Sequence, residues 1–319
     1  RLSFIRWCSD DLHFYIWSGR KQKNMIEAQI YAQYPTAEVY EVDDYAQNVP
    51  YDPSKFGMWG CHWKLKKADP FPIKTYVDFE LDKRATEKDQ ETVVDPMSTM
   101  VEFLGSLKPG EQGWIQILIR AHRDYNLKSG EIKSLPDWKK EIETEITNIQ
   151  EKYQPKREKD SDGRSVMVPA MQMTEEDKSS LKSLHRSLQK YAFDAVVRGA
   201  YITKHDSADY ANIPGLIGCV RQYDDNTSNG FSLDWWTDFD YPWQDFKRMR
   251  RTKREKMFLD AYKQRSFYYG EYKKWPVKSF VLTTEELATM FHLPGGVITT
   301  PTIERIGSRK AQPPANLPT

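Results

Sequence analysis

Three pairs of adjacent carboxylates, Asp43-Asp44, Asp224-Asp225 and Glu285-Glu286, are the residues from which an acid–base couple could be assembled. Such a couple needs two carboxyls facing one point, in environments that push their pKa values apart. Neighbours along a strand or helix point away from each other, so adjacency does not supply that geometry. Turn formation accounts for Asp43-Asp44 ahead of Tyr45. Thr283 and Glu286 have the spacing of a helix capping box, and carboxylates in a first turn suit the helix dipole. Six histidines (His13, His62, His122, His185, His205 and His292) never fall into an HxxxH or HExxH pattern. Cys8, Cys61 and Cys219 are far apart and odd in number, with no CxxC, and read as free thiols of a reducing compartment. No GxSxG elbow is present. No catalytic residue and no metal ligand is therefore assigned.

Phosphate chemistry needs a glycine-rich loop ending in Gly-Lys-Ser/Thr, whose backbone amides wrap the phosphates. The chain has no such loop. Gly307-Ser-Arg-Lys310 lacks its first glycine, and Gly295-Gly296 reads as a helix stop. The expectation is a chain that holds no cofactor and is not itself an enzyme.

Binding chemistry is better represented. Lys247-Arg-Met-Arg-Arg-Thr-Lys-Arg-Glu-Lys256 is the densest cationic run, and Phe258, Tyr262, Phe267, Tyr268 and Tyr269 follow it. Phosphate contacts beside stacking surfaces are what nucleic-acid grooves combine. Lys247, Arg248, Arg250, Arg251, Lys253 and Arg254 are the candidates for nucleic acid or another anionic surface. A solvated helix face with its aromatics in the core is the commoner arrangement, and an anionic membrane is a third one. Asp234-Trp-Trp-Thr-Asp-Phe-Asp-Tyr-Pro-Trp243 is rich in interface-type aromatics. Trp235, Trp236, Tyr241 and Trp243 are the candidate partner interface. Packing of a strand end on the sheet is the equal alternative.

These residues must be placed by a chain of 319 residues, 39% hydrophobic, 13% aromatic and 29% charged, with formal net charge +1. The mean hydropathy is −0.75. That composition supports one or two globular domains with a solvated surface. The overall balance marks no polyanion partner. No apolar run approaches the ~20 residues of a membrane-spanning helix. Short aromatic runs at 2–7 and 12–17 predict a hairpin, and 24–34 a helix stopped by Pro35. Strands are expected at 37–42 and 73–81 with a loop over 43–70 between them, then a helix from Asp95-Pro96 to Leu107 and a buried strand at 114–119. A charged helix at 134–153 and a polar linker at 154–173 follow. The second half reads as helix 174–190, strand 191–202, helix 207–223 cut by Pro214-Gly215, strand 231–236, basic helix 247–269, strand 280–282, helix 284–291 and strand 297–303.

The expected fold is α+β: two ferredoxin-like units of β-α-β-β-α-β order with antiparallel sheets, joined by a charged helical linker. A first unit spans 1–120 and the linker 121–173. A second unit spans 174–305, with a helical insertion at 244–270, and a Pro-rich exit follows at 306–319.

Several segments carry a resemblance to the region preceding the motor of type IV secretion and conjugative DNA-transfer ATPases of the HerA/FtsK-like superfamily. They are Ile26 to Pro35, Val42 to Tyr45, Pro72 to Tyr76, Asp95-Pro96 with Glu102, Pro109 to Gln116 and, best of all, Leu282-Thr-Thr-Glu-Glu-Leu-Ala-Thr-Met-Phe-His-Leu-Pro294. None is a catalytic motif, and in relatives nucleotide and Mg²⁺ belong to the domain that follows. The resemblance implies a non-catalytic scaffold in a homo-oligomer, a hexamer assembled through the following motor. It implies contact with secretion-channel or membrane proteins, at the cytoplasmic inner face of a membrane, and DNA is the further candidate partner through the basic helix. A nucleic-acid-binding module working through 247–256 is the alternative.

Overall fold

Strand β9 (Ala192–Lys204) is the axis on which the rest of the sheet is laid. The computed structural model describes residues 6–8, 11–35, 37–81, 95–123, 125–128, 131–134, 137–159, 165–168, 172–268 and 276–293. One edge of β9 pairs with β4 (Glu111–Ala121). The other edge pairs with β3 (Phe56–Leu65) along 197–204 and with β11 (Phe280–Thr283) along 192–195. Beyond β3 lies β10 (Phe231–Trp236). Beyond β4 lie β1 (Arg6–Cys8) and β2 (Asp11–His13). Every pairing is antiparallel.

The remaining strands form two small hairpins, β5 (Tyr125–Lys128) with β6 (Glu131–Ser134) and β7 (Lys156–Lys159) with β8 (Ser165–Val168). The helices are α1 (Lys23–Gln33), α2 (Ser98–Gly105), α3 (Trp138–Lys152), α4 (Glu175–Leu188), α5 (Asn212–Gly218), α6 (Met249–Lys263) and α7 (Thr284–Met290).

The α+β class with an antiparallel sheet holds, but the division into two sheets does not. Strands from 1–120 and from 174–305 alternate in one sheet, with β9 between β3 and β4. Read along the chain, β3-α2-β4-β9-α5-β10 gives the split β-α-β order once, shared by both halves. The reason is burial on both faces. Trp59, Cys61, Trp63, Ile115, Ile117 and Val197 face α2 and α5. Met58, Trp114, Ala200 and Ile202 face α6, through Phe258, Leu259 and Tyr262. The basic helix, expected as an insertion, is thus the cover of the sheet's second face. Close approach requires two glycines. A Cβ on Gly60 would lie 2.6 Å from the Phe258 ring, and one on Gly199 2.5 Å from Trp63.

Other expectations are corrected locally. Residues 43–70 are not one loop, since β3 lies within them. Residues 37–42 pair with no strand among the described residues, and they leave Tyr40 and Val42 exposed. Residues 73–81 form no strand: Asp78 to Leu81 fold back in local turns on Thr75, Tyr76 and Val77, and α7 takes two of the amides ahead of them. Ile73 N donates to Glu286 at 3.0 Å and Tyr76 N to Thr289 Oγ1 at 2.9 Å. The polar linker holds the β7–β8 hairpin, and α3 and α4 pack together over Ile142, Ile149 and Leu184. The expected strand at 297–303 and the exit at 306–319 lie outside the described residues.

Candidate interaction groove at the start of α6

Both ends of α6 are held by identifiable groups, and this fixes what its cations can reach. At the N-terminal end the Asp245 carboxylate accepts from Arg250 N at 2.7 Å and Arg251 N at 2.8 Å, satisfying amides that a helix start leaves open. At the C-terminal end the fully buried Arg198 of β9 donates to Ala261 O at 2.9 Å, Ser266 O at 3.3 Å and Gln116 Oε1 at 2.6 Å. Burial pulls this guanidinium down to about 9, so it remains charged at neutral pH and faces the negative end of the helix dipole. Arg265, just past the helix with φ 48°, forms a two-pronged pair with Asp44 and stays buried. Burial pushes the Asp44 carboxyl up, but the hydrogen bonds and charge of Arg265 outweigh it and hold it below the usual range.

The six cationic candidates separate into two groups. Arg251 pairs with Asp238 at 3.0 Å and Glu255 at 2.7 Å. Arg254 lies 3.9 Å from the centre of the Phe239 ring and donates to Trp236 O at 3.3 Å and Asp238 O at 3.2 Å. These two are structural. Lys247, Arg248, Arg250 and Lys253 are exposed and form no ion pair among the described residues, although Arg250 Nη1 donates to Gln244 O at 3.1 Å.

The aromatic candidates also separate. Trp235 stacks on Phe258 at 6.1 Å and 17°, half-buried at the end of β10, and Trp236 packs partly against the core. Tyr241 and Trp243 stack on each other at 4.6 Å and 12°, exposed.

The aromatic run and the basic helix, read separately in the sequence, meet in one groove of about 450 Å³. Its walls include Trp235, Trp236, Phe239, Arg250 and Arg254, together with the carboxylates Asp234, Asp238 and Asp240. Phe239 and the acids belong to the aromatic run already singled out; what was not legible is their meeting with Arg250 and Arg254, which depends on the 237–248 connection bringing α6 beside β10. Asp245 did carry a signal, as an Asp shortly ahead of a helical run.

The carboxylate pairs are built into the frame. Asp224 accepts from Phe231 N at 2.6 Å and Lys66 Nζ at 2.5 Å, while Asp225 accepts from Thr227 N at 3.0 Å. The Thr283–Glu286 capping box forms as expected. Buried Glu285 accepts from Arg186 Nε at 2.8 Å. Cys61 and Cys219 are free and buried, and burial pushes both thiols up, Cys219 to about 12. Among the described residues no group of three or more His, Cys, Asp or Glu could hold a metal ion. Nor is any helix of the described residues long and apolar enough to cross a membrane. Comparison with known proteins finds no matching family, no matching curated protein and no matching solved structure.

Proposed function

We propose that the chain is a non-catalytic interaction module, the scaffold region of a conjugation or type IV secretion ATPase, and that its groove beside α6 takes a segment of a partner protein. The observation that carries this reading is the mixed lining of the groove. Aromatic faces supply contact area and anchoring. Asp234, Asp238 and Asp240 stand beside Arg250 and Arg254, a pattern that suits a polypeptide with charges of both signs and opposes a run of phosphates. Edge strand β10 borders the groove, as in recognition by added strands. The secretion-ATPase context rests on the sequence resemblance, which also supplies the homo-oligomer, the channel partners and the inner face of the membrane as the setting.

The nucleic-acid alternative draws on Lys247, Arg248, Arg250 and Lys253. It is tested by anisotropy titration of the chain against labelled single-stranded and duplex DNA over a salt series. The module reading predicts weak, sequence-independent attraction that vanishes near physiological salt. Binding that persists there and is abolished by K247E/R248E would install the alternative.

A further inference from the structure

The segment ahead of α6 presents apolar side chains to solvent at a place where nothing in the fold needs them. Trp243 and Phe246 are each 77% exposed and Met249 70%. The stacked Tyr241–Trp243 pair stands beside them as a flat aromatic unit. An exposed apolar cluster of this kind marks a contact surface.

The backbone under the cluster is strained. Lys247 and Arg248 are both left-handed, each with φ 56°, a conformation that bulky residues adopt at a cost. The turn is held by Asp245, whose carboxylate caps the first amides of α6 and whose carbonyl accepts from Arg248 N at 3.4 Å. Its effect is to place Phe246 and Met249 outward with two cations between them.

The charge around the cluster has one dominant sign. Lys247, Arg248, Arg250, Lys253 and Lys256 are exposed and form no ion pair among the described residues. On the acidic side Asp238 is occupied by Arg251, and Asp245 by backbone amides. Asp240 remains, on the groove side.

We infer that residues 241–249 are a membrane-contact tip that lies in the interface of an anionic bilayer. Trp and Tyr favour the headgroup level of a bilayer, and Phe and Met reach the acyl boundary. Basic residues near an anionic surface add about 1 kcal/mol each, roughly fivefold in binding per charge. A nucleic acid would use the same cations but has no place for Met249, and the Tyr241 and Trp243 rings already spend one face on each other. The tip adjoins the partner groove through Gln244 and Arg250, whereas Trp243, Phe246, Lys247 and Arg248 are not among the groove's walls, so changes at these four test the tip and leave the groove's lining in place.

The test is co-sedimentation of the full chain with phosphatidylcholine vesicles, with and without about one-third phosphatidylglycerol, at physiological salt. The expected result is binding to the anionic vesicles and at least tenfold less to the neutral ones. W243S/F246S lowers binding about tenfold or more, with an unchanged unfolding midpoint because both side chains are exposed. K247E/R248E lowers it by a similar factor. Three results would each overturn the inference: no binding to anionic vesicles, binding that W243S/F246S leaves intact, and a K247E/R248E loss seen only with duplex DNA in place of vesicles.

Discussion

At the scale of single residues, His292 shows how a titratable side chain that looks free in sequence becomes structural. Its Nε2 faces both oxygens of Asp95 at 2.9 and 3.0 Å, and its Nδ1 faces Ala288 O at 3.1 Å. Every one of these partners accepts, so both ring nitrogens must carry protons. Burial opposes the charged ring, but the Asp95 carboxylate and the Ala288 carbonyl outweigh it and raise the pKa above 6.5. A group raised in the folded state gives its full stabilisation below the unfolded pKa and loses it as pH rises through the folded value. Denaturant unfolding measured from pH 5.5 to 8.5 is therefore expected to show stability falling by about 1–2 kcal/mol from this link, with the fall absent in His292→Gln. An unchanged slope in the variant would refute the doubly protonated ring. Sequence alone gave no hint of the pairing, since 197 positions separate the partners. The Thr283–Glu286 box, four residues long, was fully legible.

At the scale of elements, legibility followed the strength of the local pattern. Helices α1, α3, α4 and α6 were expected close to where they lie from their polar–apolar period, and α7 from its capping box, since its Glu285, Glu286 and Thr289 are buried. Strand β3 was missed because Gly57 and Gly60 interrupt its apolar run and turn residues flank it, whereas the equally buried β4 and β9 are runs rich in β-branched residues. Gly60 is there to admit Phe258. Gly60→Ala should therefore push α6 from the sheet and lower stability by about 1–3 kcal/mol, the ordinary cost of overfilling a core. Combining it with Phe258→Leu should recover part of that loss. Equal losses with and without the second change, read by denaturant midpoint, would show that Gly60 acts through the strand and not through α6.

At the scale of the whole molecule, two units predict two unfolding events, whereas one sheet woven from both halves predicts one. Native-state hydrogen exchange should find β3, β4 and β9 opening together, at the global free energy. Two separate plateaus, one for residues before 120 and one for those after 174, would restore the two-unit plan. The element order along the chain was readable. The order across the sheet was not, because strand pairing over more than 130 positions leaves no trace in local pattern. The candidate site shared that fate: each of its two ingredients was visible, and their meeting in one groove was a product of topology.

A photo-crosslinking amino acid at Trp236, in the protein in its own cells, reports most directly on what the groove takes. The prediction is an adduct with protein, either another copy of the chain or a component of the secretion channel, that R250E diminishes. Adducts with nucleic acid alone, or none at all from a folded and abundant protein, would contradict it.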